Sequence, residues 1–170
     1  MSRSLFLRRF APEAHRSPAP VIVNPIASIY NQIRMPRPFG WEELDSEIRL
    51  IPPASAAMLS GLEAYSHLIV VFWLDKLGQD RPRPTQIQPG GNQAPIQGVL
   101  STRSQLRPNP IGVSVVPLLD IRGDRLRVRG LDAIDGTPVL DIKPYIPHYD
   151  SVPAARVPGW ILAQEMSDAH

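Results

Sequence analysis

The run from Ser101 to Tyr145, STRSQLRPNPIGVSVVPLLDIRGDRLRVRGLDAIDGTPVLDIKPY, alternates arginines and carboxylates with short apolar segments and rigid turns. That composition describes a binding rim on a β framework. Arginine supplies a planar fork that matches phosphate and carboxylate, so Arg103 and Arg107 are positioned to grip an anion. Arg107 and Asn109 each precede a proline, which biases both toward extended backbone and makes Arg107-Pro108-Asn109-Pro110 a stiff lead into Ile111 to Val116. A stiff loop loses little conformational entropy on binding. In Val139-Leu140-Asp141-Ile142-Lys143 a two-residue period puts Leu140 and Ile142 on one side, with Asp141 and Lys143 about 7 Å apart on the other. Those two groups form an ion pair, an interface contact or a catalytic pair. In Arg125 to Arg129 the same period sets three arginines on one face, opposite Leu126 and Val128.

The elements that must hold these residues are mostly strands. Val21 to Tyr30, Glu47 to Ile51 and the continuous apolar segment His67 to Leu74 read as strands, the last buried on both sides. Ile111 to Ile121 is a long strand, turned by Arg122-Gly123-Asp124 into Arg125 to Gly130. Asp135-Gly136 is a turn, after which Pro138 opens another strand without needing a ladder donor. Pro53 to Leu62 reads as the one helix, and the proline- and glycine-rich stretch Gly78 to Gln97 as irregular chain. The expected fold is mainly β: a small antiparallel β-barrel with one short helix and long proline-rich loops. Residues 20–150 form the barrel domain, between a basic, flexible N-terminal arm (1–19) and a C-terminal tail (151–170).

Composition removes several classes of function. The 170 residues include no cysteine, which excludes disulfide scaffolds, thiolate zinc sites, iron–sulfur clusters and thiol nucleophiles. The longest apolar run, Leu68 to Leu74, is too short for a membrane helix. The four histidines, at 15, 67, 148 and 170, have no ligand spacing, and His67 reads as a core histidine opening a buried strand. No glycine-rich nucleotide loop follows a strand, and there is no nucleophile elbow. The pI of about 9.3 points to nucleic acid, but its source is local. Arg3, Arg8, Arg9 and Arg16 against Glu13 place the excess in the arm, so the body of the chain is near neutral.

Four blocks occur in an informative order: GLEAYSHL (Gly61 to Leu68), PGGN (Pro89 to Asn92), STRSQLRPNPIGVSVV (Ser101 to Val116) and GLDAIDGTPVLDIKPYIP (Gly130 to Pro147). In this order they resemble the TsaA-like, or TrmO, family, with similarity from about Val23 to Pro147. The family's members are S-adenosylmethionine-dependent tRNA methyltransferases acting on N6 of threonylcarbamoyl-adenosine beside the anticodon. The resemblance implies a dimeric cytoplasmic β-barrel that binds the methyl donor without a Rossmann domain, needs no metal or membrane, and takes tRNA as partner.

Matching positions place the donor against Phe39, Gly40 and Trp41, against Asp75 and Lys76, and against Arg103, Val113, Gly130, Leu131 and Asp132. An aromatic face suits the sulfonium, a carboxylate at Asp132 suits the ribose hydroxyls, and Arg103 suits the donor carboxylate. The acceptor nitrogen has a delocalised lone pair, so a group taking its proton assists: Asp135, Asp141 and Tyr145 are the candidates, with Lys143 orienting a carboxylate or pairing with the threonyl carboxylate. Arg107 and Asn109 are the expected RNA contacts, and Arg103 and Arg107 can equally hold phosphate. Two departures bear on the tRNA: longer relatives continue into a C-terminal domain where this chain ends at His170, and Gln88-Pro89 stands where relatives often carry an arginine. A small-molecule methyltransferase and a non-catalytic S-adenosylmethionine-binding module are the alternative readings.

Overall fold

Alternating side chains with one apolar face can bury that face by curling a sheet until its edges meet. The computed structural model, which describes residues 19–77, 83–89 and 94–168, shows this closure. Six strands, β1 (Ala27–Tyr30), β2 (Asp45–Leu50), β3 (His67–Trp73), β6 (Ile111–Arg122), β7 (Arg125–Arg129) and β8 (Pro138–Pro144), form a closed barrel in the order β1-β2-β7-β6-β3-β8. Every neighbouring pair is antiparallel. A separate pair, β4 (Gln86–Ile87) and β5 (Gln97–Gly98), sits in the proline-rich stretch. Ile29, Ile48, Leu68, Val70, Phe72, Val116, Leu126, Val128 and Val139 fill the interior. Among the described residues no helix is long and apolar enough to cross a membrane, and no cluster of His, Cys, Asp or Glu is arranged to hold a metal.

Several expectations are corrected. Pro53 to Leu62 is not an α-helix but two 3₁₀ turns, Ala56–Leu59 and Leu62–Ala64. Pro52 and Pro53 precede the segment and Gly61 interrupts it at φ +86°, which leaves too few residues to offset the cost of nucleating a helix. The α-helices lie late in the chain, α1 (Pro147–Asp150) and α2 (Gly159–Asp168), so the expected tail contains a ten-residue helix. The first strand begins only at Ala27, and Val21, Ile22 and Val23 before Asn24-Pro25 are exposed. The basic arm, apart from Ala19, and Gly90-Gly91 fall outside the described residues.

β3 is buried on one side only. Leu68, Val70 and Phe72 enter the core, while His67, Ile69, Val71 and Trp73 face outward, so His67 is an exposed residue whose Nδ1 meets Ser66 Oγ at 2.9 Å. In β8 an extra residue shifts the register between Val71/Asp141 and Phe72/Val139. Val139 and Ile142 therefore face the core, and Leu140 takes the bulge instead of sharing a side with Ile142.

The expected arginine face is present, and its charge is neutralised within the sheet. Asp45 accepts from Arg129 Nε at 2.7 Å and Arg127 Nη2 at 3.1 Å, and Arg127 Nη1 reaches Asp120 at 3.0 Å. Glu47 pairs with Arg49 and with Arg125 at 3.7 Å. The Arg129 hydrogen bond, with help from Arg127, holds the Asp45 carboxyl below the usual carboxylate range. A carboxyl whose folded pKa is depressed contributes stability above its unfolded pKa and loses it as pH falls through the folded one. Asp45→Asn should therefore lower Tm slightly at pH 7, and the difference from wild type should vanish in thermal scans taken at pH values below the depressed pKa.

Candidate functional site

The barrel has an open end where β6 enters, and there the interior is capped by the Phe72 ring packed on Gly112. A β-carbon at Gly112 would penetrate that ring, so glycine is the residue that lets Phe72 turn across the opening. Over this floor lies a cleft of ≈ 810 Å³, with walls from four separated segments. Pro36, Arg37, Pro38 and Trp41 form one wall; Leu74, Asp75, Lys76 and Leu77 at the end of β3 form the next. Thr102 to Gln105, Arg107 and Ile111 to Val113 make a third, and Asp132, Ala133, Ile134 and Thr137 close the fourth.

Of the expected donor contacts, Trp41, Asp75, Lys76, Arg103, Val113 and Asp132 meet in this cleft. Arg103 Nη2 donates to the Val113 carbonyl at 2.6 Å. Lys76 pairs with Asp75 at 3.1 Å, and Asp132 accepts from the Ser114 hydroxyl. The remaining donor positions are not among the lining residues. Phe39 is 70% exposed, away from the lining. Gly40, at φ +79°, turns the chain and its carbonyl accepts from the Arg37 guanidinium. Gly130, at φ +78°, ends β7, and Leu131 is wholly buried in the core. The Trp41 face already carries a cation: Arg37 Cζ stands 4.7 Å from the ring centroid, and the indole N–H donates to Arg37 O at 3.1 Å.

The expected catalytic group does not line the cleft. Asp135 receives the Asn31 N–H at 3.1 Å and faces Arg34 at 3.9 Å. Asp141 and Lys143 form an ion pair at 2.6 Å on the outer face of β8, and Tyr145 follows them with its ring 6.4 Å from that of His67. The hydrogen bond from Lys143 to Asp141 raises the lysine above its ordinary value, so Lys143 is a cation at neutral pH rather than a base. Pairing register connects this column to the cleft: Asp141 lies beside Val71, and Val71 beside Val113. Val71 also immediately precedes Phe72 of the cleft floor, so Asp141 lies on the outer face one strand away from it. In the expected RNA pair, Asn109 is exposed and Arg107 is folded against its own loop.

Some positioning residues had no sequence signal of their own. Asn31 donates from Nδ2 to Ser46 Oγ at 3.1 Å and to Ala133 O at 2.9 Å, while its Oδ1 accepts from Ile33 N at 2.9 Å. One amide thus fastens the fourth wall of the cleft to β2. Gly112 was visible only as part of a matching block, because its need for a missing side chain arises from Phe72 on another strand.

Residues 26–151 match the tRNA-methyltransferase O N-terminal domain. The chain belongs to this family. An S-adenosyl-L-methionine-binding protein of Archaeoglobus fulgidus is 38% identical over 136 residues, covering 78% of this chain and 94% of that protein. The tRNA (adenine(37)-N6)-methyltransferase of Escherichia coli K12 is 43% identical over 118 residues, 65% of this chain and 49% of its own. A crystal structure of TrmO superposes with a TM-score of 0.65 at 36% identity, covering 82% of this chain and 64% of that one. The chain thus spans nearly all of the archaeal relative but about half of the bacterial enzyme. The structure has the closed antiparallel barrel that the family resemblance implied.

The floor of the cleft is open to test. Gly112→Ala should destabilise the fold by about 1–3 kcal/mol in denaturant unfolding, the usual cost of overpacking. Adding Phe72→Leu should recover part of that loss; no recovery would show that the Phe72 ring is not the obstacle.

Proposed function

We propose that this protein is an S-adenosylmethionine-dependent methyltransferase that modifies N6 of threonylcarbamoyl-adenosine beside the anticodon of tRNA, acting as a homodimer in the cytoplasm. The observation that carries this reading is convergence: family-matching segments far apart in the chain line one cleft over the Phe72 floor. Its volume falls in the usual range for a small-molecule site, and its chemistry fits the donor. Asp132 suits ribose hydroxyls, Arg103 a carboxylate, and Ile134 and Phe72 an apolar ring. When bound, the donor supplies a methyl group activated by a sulfonium, so the work left to the protein is alignment and help for a weak nucleophile.

That help is assigned to the column on β8. Asp141 and Tyr145 are the proton acceptors it offers, and Lys143 is a fixed cation suited to the threonyl carboxylate. Asp135 is the alternative acceptor, although Asn31 and Arg34 already engage it. Asn109 is an exposed candidate for RNA contact.

The dimer reading rests on the same face. Ile111, Val113 and Val115 point outward along β6 and expose 39%, 42% and 51% of their surface. Beside them lie Ile69, Val71 and Trp73 of β3. A second copy related by a two-fold axis would cover this patch with its own. Val115→Asp should convert a dimer into a monomer in sedimentation runs at micromolar concentration; a monomeric wild type would remove the dimer.

The activity is tested by incubating the protein with methyl-labelled donor and either total tRNA or a small-metabolite extract, then analysing the products. Label is expected in methylated threonylcarbamoyl-adenosine. Label confined to the metabolites would make the protein a small-molecule methyltransferase, and donor binding with label in neither pool would make it a binding module.

A further inference from the structure

The loop carrying Arg103 has no strand partner over residues 102–107, so something else must set its shape. Short side chains do part of the work. Thr102 Oγ1 donates to Val99 O at 2.8 Å, Ser104 N donates to Thr102 Oγ1 at 3.2 Å, and Leu106 N donates to Ser104 Oγ at 3.1 Å. Arg107 then closes the loop on itself: its Nε donates to Ser104 O at 2.9 Å and its Nη2 to Thr102 O at 2.5 Å. The two carbonyls it holds are those of the residues immediately before and after Arg103.

We propose that Arg107 is a positioning residue for the methyl donor: its guanidinium clamps the carbonyls on both sides of Arg103 and so aims the Arg103 guanidinium along the cleft. The assignment rests on the donor reading of the cleft given above. Three observations support it. Both arginines line the cleft, but Arg107 is half-buried with Nε and Nη2 spent on its own loop, where Arg103 is exposed, so Arg103 is the more accessible of the two to a ligand. The planar fork of an arginine spans two carbonyls held in fixed relation, which the single ammonium of a lysine does not. The following Pro108 and Pro110 restrict the backbone behind the clamp, so the loop is braced from both ends. Arg103 in turn bonds Val113 O within the same wall of the cleft, which ties the braced loop to β6.

The clamp and a direct RNA contact through Arg107 lead to opposite results. Binding of S-adenosylhomocysteine, the stable product of the donor, is measured by calorimetry for wild type, Arg103→Ala, Arg107→Ala, Arg107→Lys and the Arg103→Ala/Arg107→Ala double variant, with Tm recorded for each. Arg107→Ala should weaken binding about tenfold, Arg107→Lys should recover little of it, and the double variant should bind no worse than Arg103→Ala, because the clamp acts only through Arg103. Additive losses in the double variant would overturn the proposal. So would wild-type affinity in Arg107→Ala together with tRNA binding whose salt dependence becomes shallower, the mark of a lost phosphate contact. If Arg107→Ala fails to fold, Arg107→Lys decides alone: wild-type affinity in that variant excludes the fork. A wild type that binds no S-adenosylhomocysteine would instead refute the donor reading itself.

Discussion

The contact between Phe72 and Gly112 sets the terms for the rest of the molecule. A six-stranded barrel of this size has room for side chains and little else. At its open end one of those side chains must stop the core, or the cleft above would run into the interior. Phe72 does so by swinging its ring over β6, and it can do so only because position 112 has no β-carbon. The surface this creates is apolar, fixed by the two most extensively paired strands, and surrounded by loops that have no ladder of their own.

Those loops are held by polar bonds suited to irregular backbone. Asn31 fastens Ala133 to β2, and Arg107 fastens the chain on either side of Arg103. In each case one planar group satisfies several backbone or hydroxyl partners at once. Such brackets cost less entropy than a longer ordered segment would, and they leave Asp132 and Arg103 exposed to a ligand. The rigidity of the cleft is thus borrowed from a small number of side chains whose own role is not chemical.

The outside of the barrel divides into two surfaces. On β2 and β7, arginines alternate with Asp45 and Glu47, and Asp120 joins them from β6, so the charges cancel locally. Around Ile69, Val71 and Trp73 of β3 and Ile111, Val113 and Val115 of β6 the surface is apolar, and Asp141 and Lys143 of β8 flank it. A stripe of arginines in the sequence is thus matched by carboxylates on the folded sheet, and a run of aliphatic residues in β3 is not evidence of burial on both sides. Both distinctions depend on what the neighbouring strand presents.

Much was legible in the chain itself. The two-residue alternation of Arg125 to Arg129 and the turn at Asp135-Gly136 are local effects of backbone geometry, and each occurs as the residues imply. Elsewhere the local pattern misled: pairing with β3 sets the bulge at Leu140 that changes which side chains of β8 face inward, and Gly61 and the paired prolines interrupt a helix that composition favoured. The sequence by itself determined the strand pattern, the absence of thiol chemistry and the family, because these follow from residue types and short spacings. Only the tertiary structure decided that Arg107 holds a loop while Arg103 faces the cleft, and that Asp141 lies outside the cleft lining on the outer face of β8. Barrel closure sets those relations between residues that sequence distance cannot order.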